Sequence, residues 1–123
     1  METVETDDAP LAVGAYSQGT ATDDLVFTAG QIPLTPEGEM IEGGVAEQTE
    51  QALQNVAAVL EAGGSSLEDA VKVTVFLDDI EEFDEMNSVY EAFFDDQPPA
   101  RSAVEVGEVP KGAAVEIEAV GER

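Results

Sequence analysis

Two segments with helical periodicity alternate with segments that have the pattern of strands, and this order constrains the fold more than any other feature. Apolar residues recur every three or four positions in residues 45–61 and again in about 82–95, so each segment predicts a helix with one buried stripe. Alternating or branched apolar residues predict strands in 15–22, 25–30, 70–78, 101–106 and 115–120. The predicted fold is α+β, a single domain over residues 1–123 with the order β-β-α-β-α-β-β, in which two helices cover one face of a mixed sheet.

Strand alternation predicts which side chains face the helices. The most apolar set of each strand is expected there: Val71, Val73, Val75, Leu77, Val104, Val106, Val115 and Ile117. The opposite face then receives Thr74, Phe76, Arg101, Ala103 and Glu116, a mixture typical of an oligomer interface or a ligand cleft. This register places Arg101 beside Glu116, and a slip of one residue would separate them.

The charge of the chain is extreme, with 28 Asp and Glu against 4 Lys and Arg and a net charge of −24. Nucleic acid and anionic membranes attract basic surfaces, so neither is an expected partner. The acids are spread along the chain, and their mutual repulsion is screened at high salt. The acidity therefore predicts a halophile-like, salt-rich habitat rather than a particular activity.

The ends and the apolar stretches of the chain bear on its location. Residues 1–13 predict a polar leading segment, without the positive region and apolar run of a signal peptide. The apolar stretches are far shorter than the ~20 residues that span a membrane. We therefore expect a cytoplasmic protein.

The chain contains no cysteine and no histidine. Disulfides, thiol nucleophiles, Cys/His zinc sites, Ser-His-Asp triads and imidazole acid–base chemistry are all excluded. Any catalysis must use carboxylates, hydroxyls, Lys, Arg, backbone groups or bound water.

Arg101 is the only arginine before the final residue, and it follows Pro98-Pro99-Ala100. A guanidinium binds a carboxylate through two parallel hydrogen bonds and stays charged, so Arg101 is the first candidate to hold a small acidic molecule. The alternative is a structural ion pair, with one of the many acids of the chain or with Glu116 itself. Alternation alone does not choose between these interpretations.

Several motifs, in order along nearly the whole chain, carry a resemblance to a known family. They are Gly14-Ala15-Tyr16-Ser17-Gln18, Phe27-Thr28-Ala29-Gly30-Gln31-Ile32-Pro33, Val71 to Leu77, Pro99-Ala100-Arg101-Ser102, Val109-Pro110-Lys111 and Val115-Glu116-Ile117-Glu118. With them the chain resembles the Rid family of reactive intermediate deaminases, also called YjgF, and its RidA branch.

The resemblance implies a chorismate-mutase-like α+β fold and a closed homotrimer, with the sheets around a central barrel and the sites in clefts between subunits. It implies a 2-iminobutanoate/2-iminopropanoate deaminase, which hydrolyses 2-imino or 2-enamino acids such as 2-aminoacrylate to 2-oxo acids and ammonia. Neither a metal nor an organic cofactor is implied. The alternative is a trimer that binds a 2-oxo acid without turnover, or that acts as a chaperone.

The resemblance also implies roles for individual residues. Arg101 matches the arginine that clamps the substrate carboxylate, and Glu116 matches the carboxylate that positions or activates water. Tyr16 matches a tyrosine of the pocket, with a core aromatic as the alternative. Gly30 matches a backbone contact to substrate. Asn87 matches an asparagine at the cleft, where a supporting hydrogen bond is an alternative to direct contact.

Two positions depart from the family pattern. Many relatives carry cysteine at the position of Ala103, where the backbone carbonyl can still contact an imine nitrogen. Many carry serine at the position of Ala29, so this chain lacks a hydroxyl there. Both departures bear on rate and substrate preference.

Overall fold

The computed structural model describes residues 1–123 as one mixed sheet covered by two helices. The strands are β1 (Glu2–Val4), β2 (Gly19–Ala21), β3 (Leu25–Thr28), β4 (Ala70–Leu77), β5 (Ala100–Glu105) and β6 (Val115–Glu122). The helices are α1 (Val45–Ala62) and α2 (Phe83–Glu91), and short 3-10 turns span Leu67–Asp69, Ile80–Glu82 and Pro110–Gly112. The predicted α+β class and element order are confirmed from β2 onward.

The six strands lie in the order β1-β2-β3-β6-β4-β5. Only β4 and β5 are parallel, because α2 crosses over between them, and the other neighbours are antiparallel. The two strands that carry Glu116 and Arg101, β6 and β5, therefore lie on either side of β4.

Helix α1 follows the predicted stripe closely. The Glu47 side chain accepts a hydrogen bond from the Gly44 backbone at 2.8 Å, which fixes the first turn. Thr49, Leu53, Val56 and Leu60 are buried against the sheet. Neither α1 nor α2 is long and apolar enough to cross a membrane.

Helix α2 is shorter than predicted, because it ends at Glu91 rather than near residue 95. Phe93 and Phe94 continue the apolar pattern but pack against the core from the turn after the helix. Periodicity detects burial, and here burial continues past the last helical hydrogen bonds.

Residues 1–13 were predicted as a polar leading segment without a strand, and this prediction is wrong for residues 2–4, which form β1. Glu2–Val4 pairs with β2 as an edge strand, and Val4 is buried. The Arg123 side chain holds this edge in place through Glu2 at 2.6 Å and the Gly63 carbonyl at 2.9 Å. Because these contacts come from the last residue of the chain, the sequence around residues 2–4 does not predict the strand.

Alternation in β4 and β6 is confirmed with one exception. Val73, Val75, Leu77, Val115 and Ile117 are fully buried under the helices. Val71 was expected among them, but a bulge between residues 70 and 72 shifts the register, and Ala70 is buried in its place.

The predicted alternation of β5 is wrong, and this changes the relation of Arg101 to Glu116. Val73 pairs with Arg101 and Val75 with Ala103, so Arg101 and Ala103 face the helices. Val104 is 43% exposed on the opposite face. Glu116 does lie on the face away from the helices, between buried Val115 and Ile117. Arg101 and Glu116 are therefore on opposite faces of the sheet.

Candidate active site

Three side chains of α2 hold the Arg101 guanidinium. Its Nη1 donates to the Asn87 Oδ1 at 2.6 Å. Its central carbon lies 5.3 Å from the centre of the Phe83 ring and 4.6 Å from that of Tyr90. Both distances are within the range of cation–π attraction. We call Phe83, Asn87 and Tyr90 the arginine cradle.

The arginine cradle follows from the geometry of α2. Phe83, Asn87 and Tyr90 are spaced by four and then three residues, so they lie along one face of the helix. Arg101 on β5 pairs with Val73 on β4, whose side chain faces the helices, so the Arg101 side chain also points towards α2. The helix thus presents two aromatic rings and one amide oxygen to a single cation.

Arg101 has no acidic partner. The only ion pair of the chain joins Arg123 to Glu2. The interpretation of Arg101 as half of a structural ion pair, with Glu116 or with another acid, is therefore wrong for this chain. A guanidinium has five donors, and the side-chain hydrogen bond to Asn87 occupies one of them.

The cleft beside Arg101 has a volume of about 500 Å³. It lies between the end of α2 and the turn before β5, and it is lined by Asn87, Tyr90, Glu91, Phe94, Asp95, Pro98, Pro99 and Arg101. Tyr90 is buried, and its hydroxyl has no hydrogen-bond partner. Burial raises the pKa of that phenol, against the opposing charge of Arg101.

Glu116 lies half-buried on β6, in a second cavity. Burial raises the pKa of its carboxyl above the ordinary value of 4.5, and the negative charge of Glu118 raises it further. Glu118 shares the face of Glu116 because side chains two apart on a strand point the same way. A carboxylate with a raised pKa holds a proton more readily, which suits a general base.

Gly30 lies directly against Glu116. Gln31 and Ile117 exchange backbone hydrogen bonds of 2.8 and 3.0 Å, and this bridge places residue 30 beside the Glu116 side chain. A Cβ built on Gly30 would overlap the Glu116 carboxylate. Glycine is therefore required for the carboxylate to take this position.

The Glu116 cavity has a volume of about 810 Å³. Tyr16 and Gly30 line it together with Glu116, and its apolar wall includes Leu11, Val13, Ile32 and Leu34. Tyr16 is 55% exposed, so its interpretation as a core aromatic is wrong. The Tyr16 hydroxyl accepts a 3.4 Å hydrogen bond from the backbone N–H of Val13.

The structure thus groups the predicted residues into two sets. Arg101 and Asn87 meet in one cleft, where Asn87 supports the arginine. Tyr16, Gly30 and Glu116 meet in the other cavity. Ala103 lines neither and packs against the core from the helix-facing side of β5.

Sequence reasoning missed four residues of these surroundings. No site role was predicted for Phe83 or Tyr90, which lie on the predicted buried stripe of the second helix. Lys111 lines the Glu116 cavity, and its backbone is left-handed, with φ 59°. Buried Gln18 bonds backbone groups of three residues between 6 and 10, which secures part of the cavity wall. The four-and-three spacing from Phe83 to Tyr90 was the signal for those two residues, whereas Gln18 and Lys111 lie within motifs that carry the family resemblance.

Ala29, where the family pattern has serine, lines the Glu116 cavity next to Gly30. The chain has no group of three or more acidic side chains arranged to hold a metal ion.

Comparison with known proteins places the chain in a family. The family model described as Endoribonuclease L-PSP matches residues 6–122. A RutC family protein of Pyrococcus abyssi is 46% identical over 120 residues, 97% of this chain and 94% of that protein. The 2-iminobutanoate/2-iminopropanoate deaminase of Escherichia coli is 43% identical over 125 residues, 99% of this chain and 98% of that protein.

The fold is shared as well. The crystal structure of Escherichia coli TdcF with bound serine superposes with a TM-score of 0.95 at 42% identity, covering 100% of this chain and 99% of that one. Family model, relatives and fold all extend over almost the whole chain. The chain therefore belongs to the Endoribonuclease L-PSP family, the family of the RidA, YjgF and RutC proteins.

Proposed function

We propose that this protein is an imine deaminase that hydrolyses 2-imino and 2-enamino acids to 2-oxo acids and ammonia. The observation that carries the proposal is Glu116, a half-buried carboxylate with a raised pKa at the wall of a cavity large enough for a small metabolite. Relatives at 42–43% identity are named 2-iminobutanoate/2-iminopropanoate deaminase, which supports the same reaction.

The chemistry needs one general base and one water molecule. Glu116 accepts a proton from water while the water oxygen attacks the carbon of the protonated imine, and the C=N electron pair moves to nitrogen. The resulting carbinolamine receives the Glu116 proton on nitrogen. The C–N bond then breaks, ammonia leaves, and loss of the hydroxyl proton gives the 2-oxo acid. A positioned base of this kind contributes about 10²–10⁴-fold.

Arg101 supplies the carboxylate clamp in this proposal. Its guanidinium has no acidic partner, so its free donors can bind the substrate carboxylate in two-point fashion. Arg101 and Glu116 lie on opposite faces of the sheet of one chain, so both reach one substrate only when a second copy brings its Arg101 to the Glu116 cavity. The number of copies follows from the family resemblance, and on that ground we propose a closed homotrimer with sites between copies.

The remaining site residues take supporting roles. Tyr16 lines the Glu116 cavity, and Gly30 offers its backbone next to the attacked carbon. Asn87 acts through Arg101. The Ala103 backbone, two residues after Arg101 on the same face, is the proposed contact to the imine nitrogen.

Cleavage of RNA, which the family description names, fits this chain poorly. Binding to phosphates relies on Lys and Arg, and this chain has 4 of them against 28 acids. We propose a small-molecule substrate and no nucleic-acid partner, and we attribute the acidity to a salt-rich environment.

A second candidate is a protein that binds a small metabolite without turnover. The related TdcF structure holds serine, so a member of this family binds an amino acid. A binding site needs Arg101 but not a base with a raised pKa, and for that reason deamination is the preferred proposal.

The deciding assay follows 2-oxo acid and ammonia released from freshly generated 2-iminobutanoate at high salt. We expect Glu116→Gln to lose at least about a hundredfold in kcat. Arg101→Ala should lose at least about tenfold in kcat/KM, as expected for loss of a charge-assisted hydrogen bond.

The matched control is Glu122→Gln, which removes an exposed carboxylate from the same strand. It should retain wild-type turnover. Unchanged turnover in both Glu116→Gln and Arg101→Ala would rule out the proposed mechanism, and binding of 2-oxobutyrate without any turnover would favour the second candidate.

A further inference from the structure

Lys111 is the only cation that lines the Glu116 cavity. The chain has only two lysines, and the other, Lys72, donates to the Ser102 hydroxyl at 3.0 Å on the outer face of the sheet. Lys111 has no carboxylate within 4.0 Å, although acids outnumber basic residues seven to one. A structural ion pair therefore does not explain this lysine.

The backbone of Lys111 adopts a conformation that a side chain disfavours. With φ 59° and ψ 22°, it is the only residue other than glycine in the left-handed region. Such a conformation is strained for a residue with a Cβ, and it persists only where the surrounding structure fixes it. Val109 and Ala113, both buried, fix the two ends of the turn. The turn keeps a lysine where glycine would be less strained.

We propose that Lys111 binds a second anionic group of the substrate, at the end remote from the attacked carbon, so that the site accepts 2-imino dicarboxylic acids. This inference rests on the proposed function, in which Arg101 of a neighbouring copy takes the first carboxylate. A substrate with one carboxylate leaves Lys111 unused. A substrate with two acidic groups engages both cations.

The cavity supports a substrate of this length. Its volume of about 810 Å³ lies in the range of small-molecule sites. Glu116, Tyr16 and Lys111 all line it, so one bound molecule can extend from the base towards the lysine. A lysine is suited to this task because its long side chain places a point charge at variable distance.

The test compares binding of 2-oxobutyrate and 2-oxoglutarate by titration calorimetry at matched ionic strength. Wild-type protein should bind 2-oxoglutarate about tenfold more tightly, the gain expected from one charge-assisted hydrogen bond. Lys111→Met should abolish the preference, and Lys111→Arg should keep it. Lys72→Met, which removes the same charge outside the cavity, should keep it as well.

A structural variant separates function from folding. Lys111→Gly relieves the left-handed strain, so it should raise the melting temperature and still lose the preference. Equal affinity of wild-type protein for the two acids, or a preference that persists in Lys111→Met, would overturn the inference. So would binding of neither acid.

The two proposals fail in different ways. Turnover of 2-iminobutanoate without any preference for the dicarboxylate overturns only the role of Lys111. A Lys111-dependent preference in a protein that does not deaminate overturns the proposed reaction and leaves the anion site in place.

Discussion

The guanidinium carbon of Arg101 lies 4.6 Å from the centre of the Tyr90 ring, although the chain offers 28 acidic residues as alternative partners. An aromatic ring holds a cation without neutralising it. A carboxylate in its place would compete directly with an acidic substrate. The arginine cradle thus fixes the position of Arg101 and keeps its donors free.

Tyr90→Leu should weaken substrate binding because it removes one ring of the arginine cradle. We expect KM to rise about tenfold with little change in kcat, since the clamp acts equally on bound substrate and transition state. Steady-state kinetics with 2-iminobutanoate measure the two constants.

Tyr90→Phe is the matched control, because it keeps the ring and removes only the unpartnered hydroxyl. It should leave KM unchanged and raise the melting temperature, since a buried hydroxyl without a partner costs about 1–3 kcal/mol. An equal rise of KM in both variants would assign the effect to the hydroxyl and contradict the role of the ring.

The acid limb of the rate profile should report the pKa of Glu116. Burial and Glu118 raise this pKa above 4.5, and the base works only when ionised, so kcat/KM should fall as the pH drops through the raised value. Glu118→Gln removes a neighbouring negative charge and should shift the limb to lower pH. Glu122→Gln should leave the fall of kcat/KM at the same pH. If Glu118→Gln did not move that fall, the assignment of the low-pH titration to Glu116 would be contradicted.

The raised pKa of Glu116 also predicts that this residue lowers the stability of the fold at neutral pH. A carboxyl whose pKa is raised by folding stabilises the fold below its unfolded pKa, and that contribution is lost as the pH rises through the folded pKa. At neutral pH the ionised Glu116 is therefore unfavourable. Glu116→Gln should be inactive and yet melt at a higher temperature than wild type.

Gly30→Ala should displace the Glu116 carboxylate, because the new methyl group would occupy its position. We expect a loss of at least about tenfold in kcat, since a misplaced base loses much of its effect. The control is Gly107→Ala, where a Cβ meets nothing within 4 Å. Wild-type kcat in Gly30→Ala would show that the position of Glu116 is not critical.

Much of the fold could be predicted because periodicity reports burial. The stripe of α1 and the buried side of β4 and β6 followed directly from spacing. The edge strand β1 could not be predicted, because Arg123 holds it from the far end of the chain. The bulge that exposes Val71 is likewise a matter of pairing with β6 and has no local signal.

The way in which the candidate site residues group together could not be predicted from the sequence. The alternation of β5 was reversed because both faces of this strand offer apolar side chains, Ala103 on one and Val104 on the other. In the structure the pairing with β4 sets Arg101 opposite Val73 on the helix side, where Phe83 and Tyr90 contact its guanidinium. The pattern of β5 alone does not show how this strand pairs with β4.

The charge of the chain predicts a salt-dependent stability. Screening of repulsion among the acids should raise the melting temperature between about 0.1 M and about 1 M KCl, as the screening length falls from about 10 to about 3 Å. The one ion pair, Arg123–Glu2, is too exposed to reverse this trend. A variant with Glu42, Glu61 and Glu85 changed to Gln should gain less from salt, and a flat or falling curve would contradict the prediction.

Mixing two impaired variants tests whether Arg101 and Glu116 act from different copies. Arg101→Ala chains retain Glu116, and Glu116→Ala chains retain Arg101. If each site takes its arginine from one copy and its glutamate from the next, random co-assembly restores about one quarter of the sites. Unfolding and refolding the variants together, then measuring deamination, should recover that fraction of wild-type turnover.

The same variants, refolded separately and then combined without exchange of chains, should show only their own residual turnover, which is the baseline for the recovery. If both residues served one site from a single chain, no mixture could restore turnover. Recovery therefore requires that the face of β6 that carries Glu116 meets the arginine cleft of a neighbour. This meeting is what the opposite placement of the two residues on one sheet predicts.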